Sequence, residues 1–290
     1  MSEEREQRNA VFAASAAANV DPRVPTTTAL DKVKAEFNLD IPSELLPLPS
    51  AGKVYPVNSS LHGKTTLEVR PMTAREEDIL TSRALLKKGT VITELIKSCL
   101  TDKSINPVDL LVGDRNALMV GIRVTGYGAE YEAEVECNEC QTKATQQFNL
   151  TSLPIKPLEL EPLAPGMNLF RFDLQKSRAV VHFRFLTGRD EEEILATQDR
   201  QKKLLGSSIE STVTTNLLYN IVSVNGVEDR AKIASFVRML PALDSLALRE
   251  HIKKHEPGIV MKQETVCPSC GHTDEVNMPM GVKFLWPSAG

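Results

Sequence analysis

Cys137-Asn138-Glu139-Cys140 and Cys267-Pro268-Ser269-Cys270 are two Cys-x-x-Cys pairs, 130 positions apart. Two residues between thiolates let a knuckle turn aim both sulfurs at one cation. Each pair supplies two ligands, and tetrahedral Zn2+ takes four. A site shared by both pairs would be closed, with no open position for a reacting water, so its metal would be structural. Its binding energy would be folding energy. Two other readings stay open: unmetallated thiol pairs held only by their own hairpins, and thioredoxin-like redox pairs. The redox motif places its pair at the start of a helix, whereas a strand is expected after each pair here. His272 lies two residues past Cys270, but the matching position in the first half is Thr142. The expected metal ligands are therefore Cys137, Cys140, Cys267 and Cys270, with Zn2+ as the cofactor. Cys99 falls on the apolar face of a helix and is matched with Ile221, which makes it a buried hydrophobe.

No other constellation carries chemistry. Gly63-Lys64-Thr65 resembles the end of a phosphate-binding loop, but Asn58 stands where the first glycine belongs, and a strand rather than a helix follows. There is no GxGxxG, HExxH or GxSxG pattern. No His-x-Glu precedes a Cys-x-x-Cys as a zinc deaminase requires. His251 and His255 are one helical turn apart among Arg249, Lys253 and Lys254, and read as a solvated basic face. Glu76-Glu77-Asp78 and Asp190 to Glu193 read as acidic first turns that suit a helix dipole. No catalytic residue and no enzyme activity are expected.

The elements that must carry the knuckles are legible in outline. Thr65 to Arg70 alternates as a strand. Thr73-Ala74-Arg75-Glu76 is a capping box, predicting a helix to about Lys88 that stops at Gly89. A second helix is expected over Thr90 to Leu100, with Val91, Leu95 and Cys99 on one face, and a third from about Asp114 to Val124. Strands at Tyr131 to Glu136 and Ala144 to Leu150 flank the first knuckle. Thr151 to Gly166 holds four prolines and reads as a linker.

The second half then repeats the first. Thr73-Ala74-Arg75-Glu76 matches Thr187-Gly188-Arg189-Asp190, and Leu95 matches Leu217. Asp114, Leu118, Ile122, Gly128, Cys137 and Cys140 match Asp244, Leu248, Ile252, Gly258, Cys267 and Cys270 at a constant offset of 130. The expected fold is α+β: two diverged repeats, each a strand plus helices and a CxxC-bearing β-hairpin, after a flexible N-terminal tail. The divisions are 1–43 (tail, with a short helix over Ala29 to Phe37), 44–150 (module one), 151–166 (Pro-rich linker) and 167–290 (module two).

Composition narrows the function. The chain has 290 residues, 41% hydrophobic and 25% charged, ample for a core. With 34 basic and 38 acidic residues the net charge is −4, so the basic excess of a nucleic-acid binder is missing. Glu132, Glu134, Glu136 and Glu139 surround one knuckle and Glu264, Asp274 and Glu275 the other, which would repel phosphate. No apolar run reaches the length of a membrane span. The acidic start, Met1-Ser2-Glu3-Glu4-Arg5, lacks the basic and apolar regions of a secretory signal, which points to a reducing cytoplasm.

Several short motifs also occur in a telling order. Leu48-Pro49-Ser50-Ala51-Gly52-Lys53-Val54-Tyr55-Pro56, Val69-Arg70-Pro71-Met72-Thr73 and Leu110-Leu111-Val112-Gly113-Asp114-Arg115 come first. Ile122-Arg123 and Tyr127-Gly128 then lead to Cys137-Asn138-Glu139-Cys140. Together, over roughly Leu45 to Leu150, they resemble the baseplate hub proteins of T-even-type contractile-tailed bacteriophages. The resemblance implies a structural or assembly protein of the tail baseplate, located in the virion and assembled in the host cytoplasm. Its implied partners are other phage baseplate and tail proteins. The chain is expected to be monomeric or weakly associating alone, with its repeated modules offering surfaces for a symmetric homo-oligomer in the particle. The alternative from a different class is a zinc-ribbon-type binding or regulatory module acting on a protein or nucleic-acid partner.

Overall fold

Strand β1 (Glu44–Pro47) pairs antiparallel with β2 (Thr66–Val69), Glu44 opposite Val69 and Pro47 opposite Thr66. Leu46, Leu67 and Val69 point into the core while Leu45 and Glu68 face outward, the period-two pattern of a half-buried pair. The computed structural model describes residues 36–37, 42–205, 212–278 and 282–285. The expected tail, with its helix over Ala29 to Phe37, lies outside these apart from Glu36, Phe37, Pro42 and Ser43. From Ser43 onward the chain clusters as one compact unit.

The helix expected from Thr73 to Lys88 is in fact two: α1 (Ala74–Thr81) and α2 (Arg83–Lys88), broken at Ser82, whose φ and ψ are −66° and 106°. No residue of α2 is fully buried and Leu85 packs only partly against the core, so little packing holds the helix in line with α1. Gly89 then ends α2 at φ 72°, a left-handed cap that glycine adopts without strain. Helix α3 (Val91–Cys99) buries Val91, Leu95, Ile96 and Cys99. Helix α4 (Val112–Tyr127) is enclosed on most sides, burying Asp114, Arg115 and Arg123 along with its apolar residues. Asp114 is satisfied there by the Ser50 amide at 2.9 Å and by the hydroxyls of Ser50 and Tyr55, each at 2.5 Å. A hairpin follows, β3 (Glu130–Glu136) with β4 (Lys143–Asn149).

The stretch read as a linker is pinned at several points. Its β5 (Ile155–Lys156) pairs with β9 (Gly258–Ile259), and Leu153 and Leu158 are buried. The Leu158 amide donates to the Pro49 carbonyl at 3.0 Å and the Gly166 amide to the Lys53 carbonyl at 3.1 Å. Proline removes a donor at its own position only, so the residues between the four prolines still form cross-chain bonds.

The second half opens with a three-stranded antiparallel sheet, β6 (Phe170–Asp173), β7 (Val180–Phe183) and β8 (Ile221–Val224). The same half contains helices α5 (Gly188–Leu205), α6 (Thr212–Asn220), α7 (Arg230–Met239) and α8 (Ala242–His255); α6 and α7 pack against β8, and His251 of α8 against Phe172 of β6. A second hairpin, β10 (Lys262–Val266) with β11 (Thr273–Asn277), and the short α9 (Val282–Leu285) complete the described chain. Val69 bridges Leu100 rather than Cys99, and Phe183 pairs with Ile221. Cys99 is fully buried all the same, and burial pushes its thiol up to about 12.

Several contacts join the two halves. Leu111 bridges Thr187, with the Val112 amide donating to Leu186 and the Gly188 amide to Leu110, both at 2.9 Å. A Cβ on Gly113 would fall 1.7 Å from the Pro257 carbonyl oxygen, so α4 approaches β9 at a distance only glycine allows. Gly113→Ala is expected to cost about 3 kcal/mol, because the obstruction is backbone and cannot rotate away. A lowered urea midpoint with an unchanged slope would register it; an unchanged midpoint would refute the close contact.

Candidate metal centre

The two knuckles are built alike. Glu136 pairs with Lys143 at the last rung of the first hairpin, and Val266 with Thr273 at the last rung of the second. The Cys137 amide donates to the Thr142 carbonyl at 3.0 Å and the Gln141 amide returns to Cys137 at 2.9 Å. In the second knuckle Cys267 donates to His272 at 2.8 Å and Gly271 to Cys267 at 2.9 Å. Each turn needs a left-handed residue, Gln141 at φ 57° and Gly271 at φ 72°. Glycine accepts that conformation freely, whereas glutamine is strained there by roughly 1 kcal/mol.

These turns bring all four predicted sulfurs together. Cys137 Sγ lies 3.7 Å from Cys270 Sγ, and Cys140 Sγ 3.7 Å from Cys267 Sγ. All four lie within 4.8 Å of one another. A tetrahedron with metal–sulfur bonds of about 2.3 Å has edges of roughly 3.8 Å, so the spacing fits a four-sulfur cation site. It is far too long for disulfides, which need about 2.05 Å; all five cysteines are free thiols.

Crowding separates the acidities of these thiols. The Thr142 hydroxyl and amide, with help from Cys270, hold Cys140 down at about 6. The amides of Cys270 and Ser269 also lower Cys267. Cys270 receives an amide hydrogen bond from His272 that lowers it, yet the neighbouring Cys140, Cys267 and Cys137 push it up to about 12. Four thiolates this close cannot coexist without a cation among them, and a bound divalent metal would deprotonate all four.

The surrounding side chains hold the hairpins in position. The Asn138 amide donates to the Asp274 carboxylate across the two knuckles, and Gln146 Nε2 reaches the Val266 carbonyl at 3.1 Å. Gln263 Nε2 donates to Ser152 Oγ at 2.8 Å. Buried Arg123 spends its guanidinium on the carbonyls of Phe284, Gly128 and Glu130, at 2.8, 2.7 and 2.9 Å. It thereby ties the end of α4 to the base of the first hairpin, where Tyr131 meets Phe284 edge-on at 5.2 Å. Sequence reasoning missed these supports, since nothing in an isolated Arg, Asn or Gln marks its distant partner.

The other singled-out residues fall elsewhere. His272 contributes its carbonyl to the knuckle turn and is not among the clustered ligand atoms. Lys64 pairs with Asp102 at 3.2 Å and its segment runs into β2, so the phosphate-loop geometry is missing. The reading of His251 as part of a solvated basic face is wrong. Its ring packs 4.6 Å from Phe172 and 4.3 Å from His255, and burial lowers its pKa. The sheet face it covers is apolar, and that aromatic packing outweighs the pull of its basic neighbours towards water.

Four sulfurs at these distances make a centre that could hold a metal ion. The chain that carries it matches the family model described as T4 bacteriophage base plate protein over residues 48–286, and it belongs to that family. The match continues through the second half, well beyond the Leu45 to Leu150 stretch in which the sequence motifs were recognised. No curated protein and no solved structure matches the chain. Membership of this family makes it a virion protein of the tail baseplate, acting in tail assembly among other phage structural proteins. Among the described residues, no helix is long and apolar enough to cross a membrane.

Proposed function

We propose that the protein is a non-catalytic structural or assembly subunit of the baseplate hub region, built from two diverged modules clasped by one zinc ion. The observation that carries this reading is the sulfur cluster, to which each half contributes two ligands in crossed pairs. The modules are residues 44–150 and 167–290, with 151–166 as the seam between them.

Matching hydrogen bonds support the repeat. Leu48 donates its amide to Thr65 at 2.8 Å, and Leu174 to Ala179 at 2.9 Å. The amides of Ser50 and Lys176 reach the buried carboxylates of Asp114 and Asp244, each at 2.9 Å. Arg70 pairs with Glu76, which also accepts the Thr73 amide and hydroxyl. Arg184 pairs with Asp190, which accepts from Thr187 in the same way. Chance convergence would have to reproduce strand register, cap and buried acid in the same chain order.

An all-thiolate tetrahedron favours zinc over oxygen-loving cations. The acidic residues around both knuckles count against the nucleic-acid form of the alternative zinc-ribbon reading. Metal analysis of the purified full chain tests the clasp: one zinc per chain is expected, and none, or two independent ions, would overturn it. Mass spectrometry of purified particles tests virion membership. Crosslinking within them tests the hub position.

A further inference from the structure

We infer that the second module carries a docking face for the first module of another copy of this chain, making a head-to-tail contact between subunits. This rests on the two-module reading above. Within the chain, the loop entering α4 (Leu110-Leu111-Val112) docks on the strand-to-helix junction entering α5 (Leu186-Thr187-Gly188). The equivalent loop in the second module is Leu240-Pro241-Ala242, entering α8. The equivalent junction in the first is Met72-Thr73-Ala74, entering α1.

The loop has the backbone shape of its docked counterpart, and among the described residues both surfaces remain unpaired. The Leu110 amide reaches the Pro107 carbonyl at 3.4 Å, and the Leu240 amide reaches Val237 at 3.4 Å. Leu111 has φ and ψ of −57° and 147°; Pro241 has −52° and 138°. The proline fixes that φ, so the loop is held ready without its partner. Yet Leu110 and Leu111 are buried, while Met239 is 76% exposed, Leu243 52% and Leu246 46%. Thr73, Ala74 and Arg75 are exposed on the other surface. Among the described residues, the amides of Ala74 and Ala242 and the carbonyls of Met72 and Leu240 have no hydrogen-bond partner.

Residue sizes also complement one another. A Cβ on Gly188 would fall 1.8 Å from the Arg115 guanidinium, so these two residues sit in tight contact. Ser245 takes the place of Arg115 at the second surface, and Ala74 takes the place of Gly188, so the larger residue meets the smaller. Leu243 stands where Gly113 does, which sets a wider spacing. Gly128, the counterpart of Gly258, has open space above it to receive that side chain. The two surfaces differ and lie on different modules, so the contact is heterologous and builds a ring or an open chain.

Sedimentation velocity on the full, zinc-loaded chain from about 1 μM to about 500 μM tests this, the range in which small interfaces associate. At least a twofold rise in weight-average mass is expected. Ala74→Asp and Leu243→Asp each place an acid in a helix first turn, where the dipole accepts it and the fold is kept. Each variant alone should stay monomeric, and an equimolar mixture should form a dimer and stop. A wild-type chain that stays monomeric, as it would if its own N-terminal segment covered the face, overturns the proposal. A mixture that fails to dimerise, or variants that still associate alone, does the same. Zinc measured on the same samples separates this outcome from failure of the clasp.

Discussion

Cys267→Ser is expected to release the metal and to lower the melting temperature by roughly 10–20 °C. Structural zinc contributes about 10–16 kcal/mol in small zinc-finger peptides, where nothing else holds the fold. Here each hairpin keeps its own ladder, and Tyr131, Phe148 and Phe284 still pack, so part of that energy survives metal loss. A loss of about 5 kcal/mol is the reasonable scale, and in a chain of this size each kcal/mol moves the midpoint by about 2–4 °C. The damage should concentrate where the halves meet. Asn138 and Asp274 would lose their alignment, and the acidic residues flanking the knuckles would no longer face a compensating cation. Calorimetry with and without a chelator checks this. The wild-type chain with chelator should resemble Cys267→Ser without it. Cys99→Ser is the control: it perturbs a buried apolar site by a smaller amount and keeps the zinc. Equal melting temperatures for wild type and Cys267→Ser, indifferent to chelator, would remove the clasp from any account of how the halves stay joined.

Features that depend on near neighbours in the chain were legible beforehand; those that depend on distant ones were not. The Cys-x-x-Cys spacing is a local rule, and it located all four clustered sulfurs. The Thr73 and Glu76 cap is equally local, and the structure places the Thr73 amide 2.8 Å from Glu76 Oε2. The break at Ser82 was invisible because it reflects the sparse burial along α2, a tertiary fact. Strand β5 was hidden by the flanking Pro154 and Pro157, and its partner Gly258–Ile259 lies about a hundred residues away. Buried Arg115 could not have been foreseen either. Its environment is made by Thr93 at 3.1 Å, Glu191 at 3.4 Å and Gly188, residues brought together only by the packing of one half on the other. Locality explains why the family could be recognised from short motifs, while the bonds that pin residues 151–166 depend on partners far away in the chain.

Acid should reveal how much stability the Arg70–Glu76 pair supplies, and Glu76→Gln is the variant that isolates it. The Glu76 side chain is fully buried; that burial alone would raise its pKa. Hydrogen bonds from Arg70, Ser98 and Thr73 outweigh it and hold the carboxyl at about 2, against an ordinary 4.5. The folded protein thus keeps this carboxylate charged under conditions where the unfolded chain has already bound a proton. The resulting stabilisation is fully present above about pH 4.5 and disappears as pH falls through about 2. A difference of this size corresponds to roughly 3 kcal/mol at neutral pH. Glu76→Gln keeps the side-chain shape but removes the charge, leaving the half-buried Arg70 without its counter-ion. It should therefore be about 3 kcal/mol less stable than wild type at pH 7, with the gap closing towards pH 2. Asp114 pulls the other way, since burial raises its pKa despite bonds from Ser50 and Tyr55. The wild-type acid profile mixes both effects, and only the difference between the two curves reports Glu76. Urea midpoints at unit steps of pH provide those curves. A gap that stays constant from pH 7 to pH 2 would mean that Glu76 acts through shape and hydrogen bonding alone, with no contribution from its charge.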